Sequence, residues 1–139
     1  MRHLALAVGV ATGVLVMTGC SRIAGDLPSL TGPCSETVKH ADKSPDGRYT
    51  AVVFERDCGA TTDYVMHVNL REGSRAFREE RSGVIREGSV FVREGRCHIG
   101  IRWKDSRTLV VTAPKDDVFQ RARAWRGMSI IYDEPGVAR

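Results

Sequence analysis

Charge of one sign is nowhere concentrated in this sequence. Its 139 residues carry 21 lysines and arginines against 17 acids, a formal charge of +4. The densest stretch, Arg71 to Arg96, sets seven arginines among five glutamates. A nucleic-acid stripe gathers one sign on one face, so intermixed signs describe a solvated surface and no nucleic-acid partner is expected. Catalytic signatures are equally sparse. No G-x-S-x-G elbow occurs, and scattered Ser, His and Asp do not make a hydrolase constellation. Metal ligation needs convergent His, Cys or carboxylate at recognisable spacing. Cys97 and His98 adjoin on a strand and point to opposite faces, which spoils them as a local pair. No catalytic residue, metal or cofactor is assigned. Repeats, coiled coils and a second hydrophobic segment are also missing.

What is present begins at the N-terminus. MRHLALAVGVATGVLVMTGC opens with Arg2 and His3 and continues as an apolar run from Leu4 to Met17, broken by Gly9, Thr12 and Gly13. That run suits a secretory signal and falls short of the about 20 residues of a membrane span. Met17-Thr18-Gly19-Cys20 resembles the lipobox of bacterial lipoproteins, with Met where Leu is usual. The resemblance implies a signal peptide over 1–19, cleavage before Cys20, and lipid on its sulfur. Two or more acyl chains anchor stably where one does not. Residues 20–33, with Gly, Pro and Ser punctuation, are read as a tether, and 34–139 as a single β domain. Losing residues 1–19 removes one arginine and no acid, leaving 20 bases, 17 acids and a charge of +3. Ser21 carries no acidic inner-membrane retention signal. The expected location is the cell envelope, on the outer membrane facing the periplasm if the cell is Gram-negative. The expected partners are the membrane, through the lipid, and an envelope protein or glycan.

With Cys20 assigned to lipid, Cys34, Cys58 and Cys97 remain in an oxidising compartment. Three is odd, so one thiol is left over. SPDG, residues 44–47, carries turn chemistry. Counting outward from that turn brings Ser35 or Cys34 near the level of Asp57 and Cys58. A Cys34–Cys58 bridge would clamp the hairpin's open end, with Cys58–Cys97 the next pairing to consider. The rival is Cys58 as a nucleophile, which needs a positive environment and a nearby base. Arg56 is available, Asp57 adjoins, and no histidine is close in sequence.

Alternation supplies the fold. YTAVVFERD (49–57) is apolar on both faces, as in an inner strand. In DYVMHVNLRE, Tyr64, Met66, Val68 and Leu70 look inward while Val65, His67, Asn69 and Arg71 meet water. CHIGIRWKD, TLVVT, GSVFVRE and GMSIIYD complete the set, with TVKHADK a weaker edge-strand candidate. DDVFQRARAW (116–125) is read as a helical turn or short helix packing Phe119 and Trp125 on the sheet. SRAFREERSG (74–83) is read as a long loop. The fold class is all-β: a small antiparallel sandwich or partly open barrel of six or seven strands, with that one short helix.

SPDGRYTAVVFERDCGATTDY resembles a group of small secreted or lipid-anchored bacterial proteins of unknown function, which carry SPDG, an apolar strand and an Arg-Asp-Cys-Gly-Ala-Thr-Thr block. GSVFV, IRWKDSRTLVV and MSIIYD look like later blocks of that group. Its members often carry an upstream cysteine placed as Cys34 is, which supports the Cys34–Cys58 pairing. Cys97 departs from the pattern, and no activity transfers.

Arg56, Asp57, Thr61 and Thr62 form the candidate ligand loop, because Gly, Thr and Asp at a strand end can present N–H groups and hydroxyls. The competing account is turn chemistry, with the threonines bonding their own turn and Arg56 pairing with an acid. Three functions follow: a non-catalytic envelope binding or assembly module; a small enzyme or ligand sensor using the 56–62 loop; or an immunity-type inhibitor of an exported toxin.

Overall fold

The computed structural model describes residues 33–73, 75–79 and 85–136. The expected signal peptide, Cys20 and all of the expected tether except Pro33 lie outside them. The described chain is an all-β sandwich, and it begins with the SPDG turn. The Gly47 amide donates to the Ser44 carbonyl at 2.8 Å, with Pro45 setting the second position and Gly47 accepting φ +70°. Ser44 Oγ donates to Asp46 Oδ1 at 2.7 Å, and that oxygen also accepts the Arg48 amide at 3.1 Å. The Ser44 bond holds the Asp46 carboxyl below the usual carboxylate range. This turn joins β1 (Ser35–Lys43) to β2 (Tyr49–Asp57).

Next come β3 (Val65–Glu72) and β4 (Ser89–Glu94). The second sheet begins with β5 (Gly100–Asp105) and β6 (Thr108–Thr112). The chain then returns to the first sheet as β7 (Val118–Arg121) and closes with β8 (Ala124–Trp125) and β9 (Met128–Asp133). One sheet runs β1-β2-β3-β4-β7 and the other β5-β6-β9-β8. All pairs are antiparallel except β6 with β9, which lie parallel because the crossover between them passes through the opposite sheet.

Nine strands stand where six or seven were expected, and residues 116–125 are extended. β7 fills the free edge of β4, pairing Gln120 with Val92 and Arg121 with Phe91. β-branched Val118 fits such an edge, and ladder bonds to β4 outweigh any weak helical tendency. Phe119 is 62% exposed, contrary to the packed position anticipated for it. Trp125 does lie against the core.

The core fills the space between the sheets. Ala51, Val53, Met66, Val68 and Leu70 face Leu109, Val111, Met128 and Ile130. On β3 these are the inward residues that the alternation anticipates. The opposite face of β3 departs from expectation: His67 and Asn69 are as buried as the core, each 1% exposed. Residues between β3 and β4 cover them. Phe77 lies 5.1 Å from the Phe54 ring, and the Asn69 amide donates to the Glu87 carbonyl at 2.8 Å. The middle strands of the first sheet, β2 to β4, are therefore buried on both faces.

Candidate functional site

The outer face of the first sheet is built around one carboxylate. Glu36 on β1 sits opposite Arg56 on β2, with its side chain fully buried. Its Oε1 accepts Arg56 Nε at 3.1 Å and Nη2 at 2.7 Å, while Oε2 accepts Arg86 Nη2 at 2.6 Å. Arg86 also donates to the Arg78 carbonyl. The Arg86 guanidinium lies 4.4 Å from the Phe77 centroid, and that of Arg71 4.9 Å from the same ring. Cations over aromatic faces gain from the ring quadrupole. Beside them His67 stacks on Phe54, with centroids 4.6 Å apart and planes 11° apart. Burial, reinforced by Arg56 and then Arg86, pushes the imidazole down to about 4, so the ring is neutral at pH 7. Its Nδ1 lies 3.4 Å from Ser89 Oγ.

At the end of this face the cover stops and a depression of about 230 Å³ opens. Val65 and His67 from β3, Val92 from β4 and Arg56 from β2 supply its strand residues. Cys58, Thr62 and Asp63 close the side nearest the β2–β3 loop. Ile85 and Phe119 form the flanks, 49% and 62% exposed. The lining is overwhelmingly apolar, because Arg56 is turned into its bonds with Glu36 and His67 carries no charge.

Cys58 reaches this wall as half of a cross-link. The sulfurs of Cys34 and Cys58 are 2.04 Å apart, so Cys58 carries no free nucleophile. The register explains the pairing. From the turn, Lys43 opposes Thr50 and His40 opposes Val53; a bulge at Lys39 then shifts the count, and Ser35 opposes Asp57. The next rung brings Cys34 to Cys58. Without the bulge, Ser35 would face Cys58. The remaining described thiol, Cys97, is half-buried against the core away from the depression. Burial pushes it above the usual thiol range, which keeps it protonated and weakly nucleophilic.

Of the four candidate loop residues, Arg56 and Thr62 line the depression, whereas Asp57 and Thr61 do not. Turn chemistry accounts for much of the loop. The Gly59 amide donates to Asp57 Oδ1 at 2.9 Å, and both the amide and Oγ1 of Thr62 donate to the Gly59 carbonyl at 3.1 Å. Arg56 takes Glu36 in place of its neighbour Asp57. Phe119, Ile85, His67 and Val92 join the site from positions that no local pattern marks as a site; the alternation turns His67 toward water, and Phe119 is expected to pack on the sheet. Among the described residues, no three His, Cys, Asp or Glu side chains converge as a metal site would require.

A second depression, about 90 Å³, is lined by polar groups including Arg71, Glu72 and Arg126. Arg126 is already bonded there to Glu72 at 3.1 Å and to Glu87 at 2.8 Å. Neither a protein-family model, a curated protein nor a solved structure matches this chain.

Proposed function

We propose that the protein is a lipid-anchored envelope module that binds another envelope component through the outer-face depression, with Cys20 carrying the anchor. The observation that carries this reading is the depression itself: an apolar lining, a buried polar surround centred on Glu36, and an exposed aromatic residue at the rim. Its volume supports docking of a partner's side chain. Small-molecule sites run from about 300 to 1,000 Å³, and about 230 Å³ is below that range. Interfaces draw most of their energy from a few large side chains set in such pockets. The sensor or enzyme reading of the same loop has less support, because Cys58 is cross-linked and Arg56 is occupied by Glu36. No residue speaks for an immunity role in particular.

A photo-crosslinking amino acid at position 119, introduced into cells making the full-length protein, tests the reading. A discrete adduct is expected there, with none at position 131, an exposed apolar site on the other sheet. Equal labelling at both positions, or none at 119, would overturn it. Metabolic incorporation of labelled fatty acid, lost in Cys20→Ser, tests the anchor separately.

A further inference from the structure

The mouth of the depression has a charge that the chain as a whole does not predict. Although the sequence is net basic at +4, three carboxylates stand around this opening among the described residues. Asp63 lines it and accepts the Tyr64 amide next to it at 2.7 Å. Glu94 opposes Val65 across the β3–β4 ladder, which places it on the same face as a lining residue. It is exposed and has no ion-pair partner among the described residues. Asp117, two residues before Phe119, accepts the Glu94 amide through its carbonyl and keeps its carboxylate 65% exposed, 3.8 Å from Arg93. The nearby cations are committed elsewhere: Arg56 and Arg86 to Glu36, and Arg93 mainly to Asp116 at 3.1 Å.

An apolar cavity with the carboxylates of Asp63 and Glu94 beside it selects against acidic partners and against anionic lipid headgroups, both of which meet like charge. Resting on the binding reading above, we infer that the depression receives a peptide segment of a partner protein. That segment carries one large apolar side chain, with a lysine or arginine one or two residues away. The spacing follows from the ladder. Directly opposed residues stand about 4.5–5.5 Å apart, so Glu94 lies one strand from the Val65 wall. A residue in extended chain advances about 3.3 Å, so a cation one or two positions from the anchor spans that gap. The apolar side chain supplies the affinity. The exposed acidic rim supplies partner choice and on-rate, which salt screens.

The test is selection of a random displayed peptide library on the immobilised intact protein. Enriched peptides are expected to pair an aromatic or large aliphatic residue with Lys or Arg within two positions. Enrichment should vanish on Phe119→Ala. A synthetic peptide of the enriched sequence should bind Asp63→Asn/Glu94→Gln about tenfold more weakly at low salt and nearly equally at high salt. Both variants alter exposed side chains, and thermal melts confirm folding. Enrichment that depends on Phe119 without a basic bias would overturn this inference and leave the pocket reading standing. Enrichment indifferent to Phe119→Ala, or none at all, would overturn both. Phe119-dependent binding to vesicles rich in anionic lipid would also overturn the peptide assignment.

Discussion

The two faces of the middle strands of the first sheet are both buried, with different chemistry at their centres. On the inner face, Ala51, Val53, Met66, Val68 and Leu70 meet the second sheet through aliphatic and aromatic contacts, with the ion-paired Glu55 and Arg93 at one end. On the outer face, Phe54 and Val52 share their surface with Glu36, Arg56, His67 and Asn69 under a cover that includes Phe77 and Arg86. Aliphatic packing is non-directional and tolerates repacking of similar volume. A buried charge has no such latitude, because each guanidinium needs its acceptor in place. The inner face therefore secures the fold. The outer face fixes one arrangement of side chains at the place where the cover ends and the depression begins.

The comparison is broken most directly at Glu36. Glu36→Ala strands Arg56 and Arg86 in the interior, and an expected loss of about 3–5 kcal/mol matches or exceeds that of Leu70→Ala, about 2–5 kcal/mol. Denaturant unfolding of both variants checks this. Replacing all three charges, as Glu36→Leu/Arg56→Met/Arg86→Leu, should recover most of the loss. A loss below 1 kcal/mol for Glu36→Ala would show that the charges lie on a face already secured by packing.

The cross-link comes next. Cys34 and Cys58 are 24 residues apart, and closing such a loop contributes about 3.5 kcal/mol in the chain-entropy model. Cys34→Ala/Cys58→Ala should lower the denaturation midpoint accordingly. Cys97→Ala leaves the bridge untouched and should cost much less.

His67 gives the outer face a pH dependence of its own. Its folded value is lowered from 6.5 to about 4, so between those limits the unfolded chain holds the extra proton. Its contribution is complete above about pH 6.5, and it declines as the pH falls toward 4, by about 3 kcal/mol in all. Unfolding free energies measured from pH 7 to pH 4 should show this fall, and His67→Gln should flatten that part of the profile. A slope unchanged in His67→Gln would assign the effect to carboxylates.

Phe119→Ala produces the smallest change in stability. The side chain is mostly in water, so the effect should stay within about 0.5 kcal/mol while selection of displayed peptides is lost. This separates the outer face's structural part from its binding part. A large drop in melting temperature would join them again.

The sequence made some of this legible for identifiable reasons. The inward residues of β2 and β3 follow the two-residue period, and SPDG declares its turn by composition. The cross-link could be counted out from that turn to within one residue, the uncertainty being the bulge at Lys39, which nothing in TVKHADK announces. The polar residues of β3 looked solvated because His67 and Asn69 alternate with Met66 and Val68. Their burial depends on Phe77 and Arg86, whose approach from later in the chain leaves no periodic trace. The Glu36–Arg86 bond joins residues 50 positions apart, and ion pairs at that separation have no local signature. Residues 116–125 were misjudged because short edge strands take their identity from the neighbour they pair with. Half of the candidate loop reached the depression, since the loop was defined by composition and the depression by four strands, β2, β3, β4 and β7.

One consequence of the Cys34–Cys58 bond concerns force. β1 is an edge strand, held along one side only, and a pull on the chain at residue 33 would strip it from β2 one rung at a time. The sulfur bridge diverts that pull at the first residue of the fold and delivers it to the far end of β2, which is laced on both sides. Mechanical load would thus arrive in the interior of the sheet, and a reductant would turn a shear-resistant attachment into one that unzips.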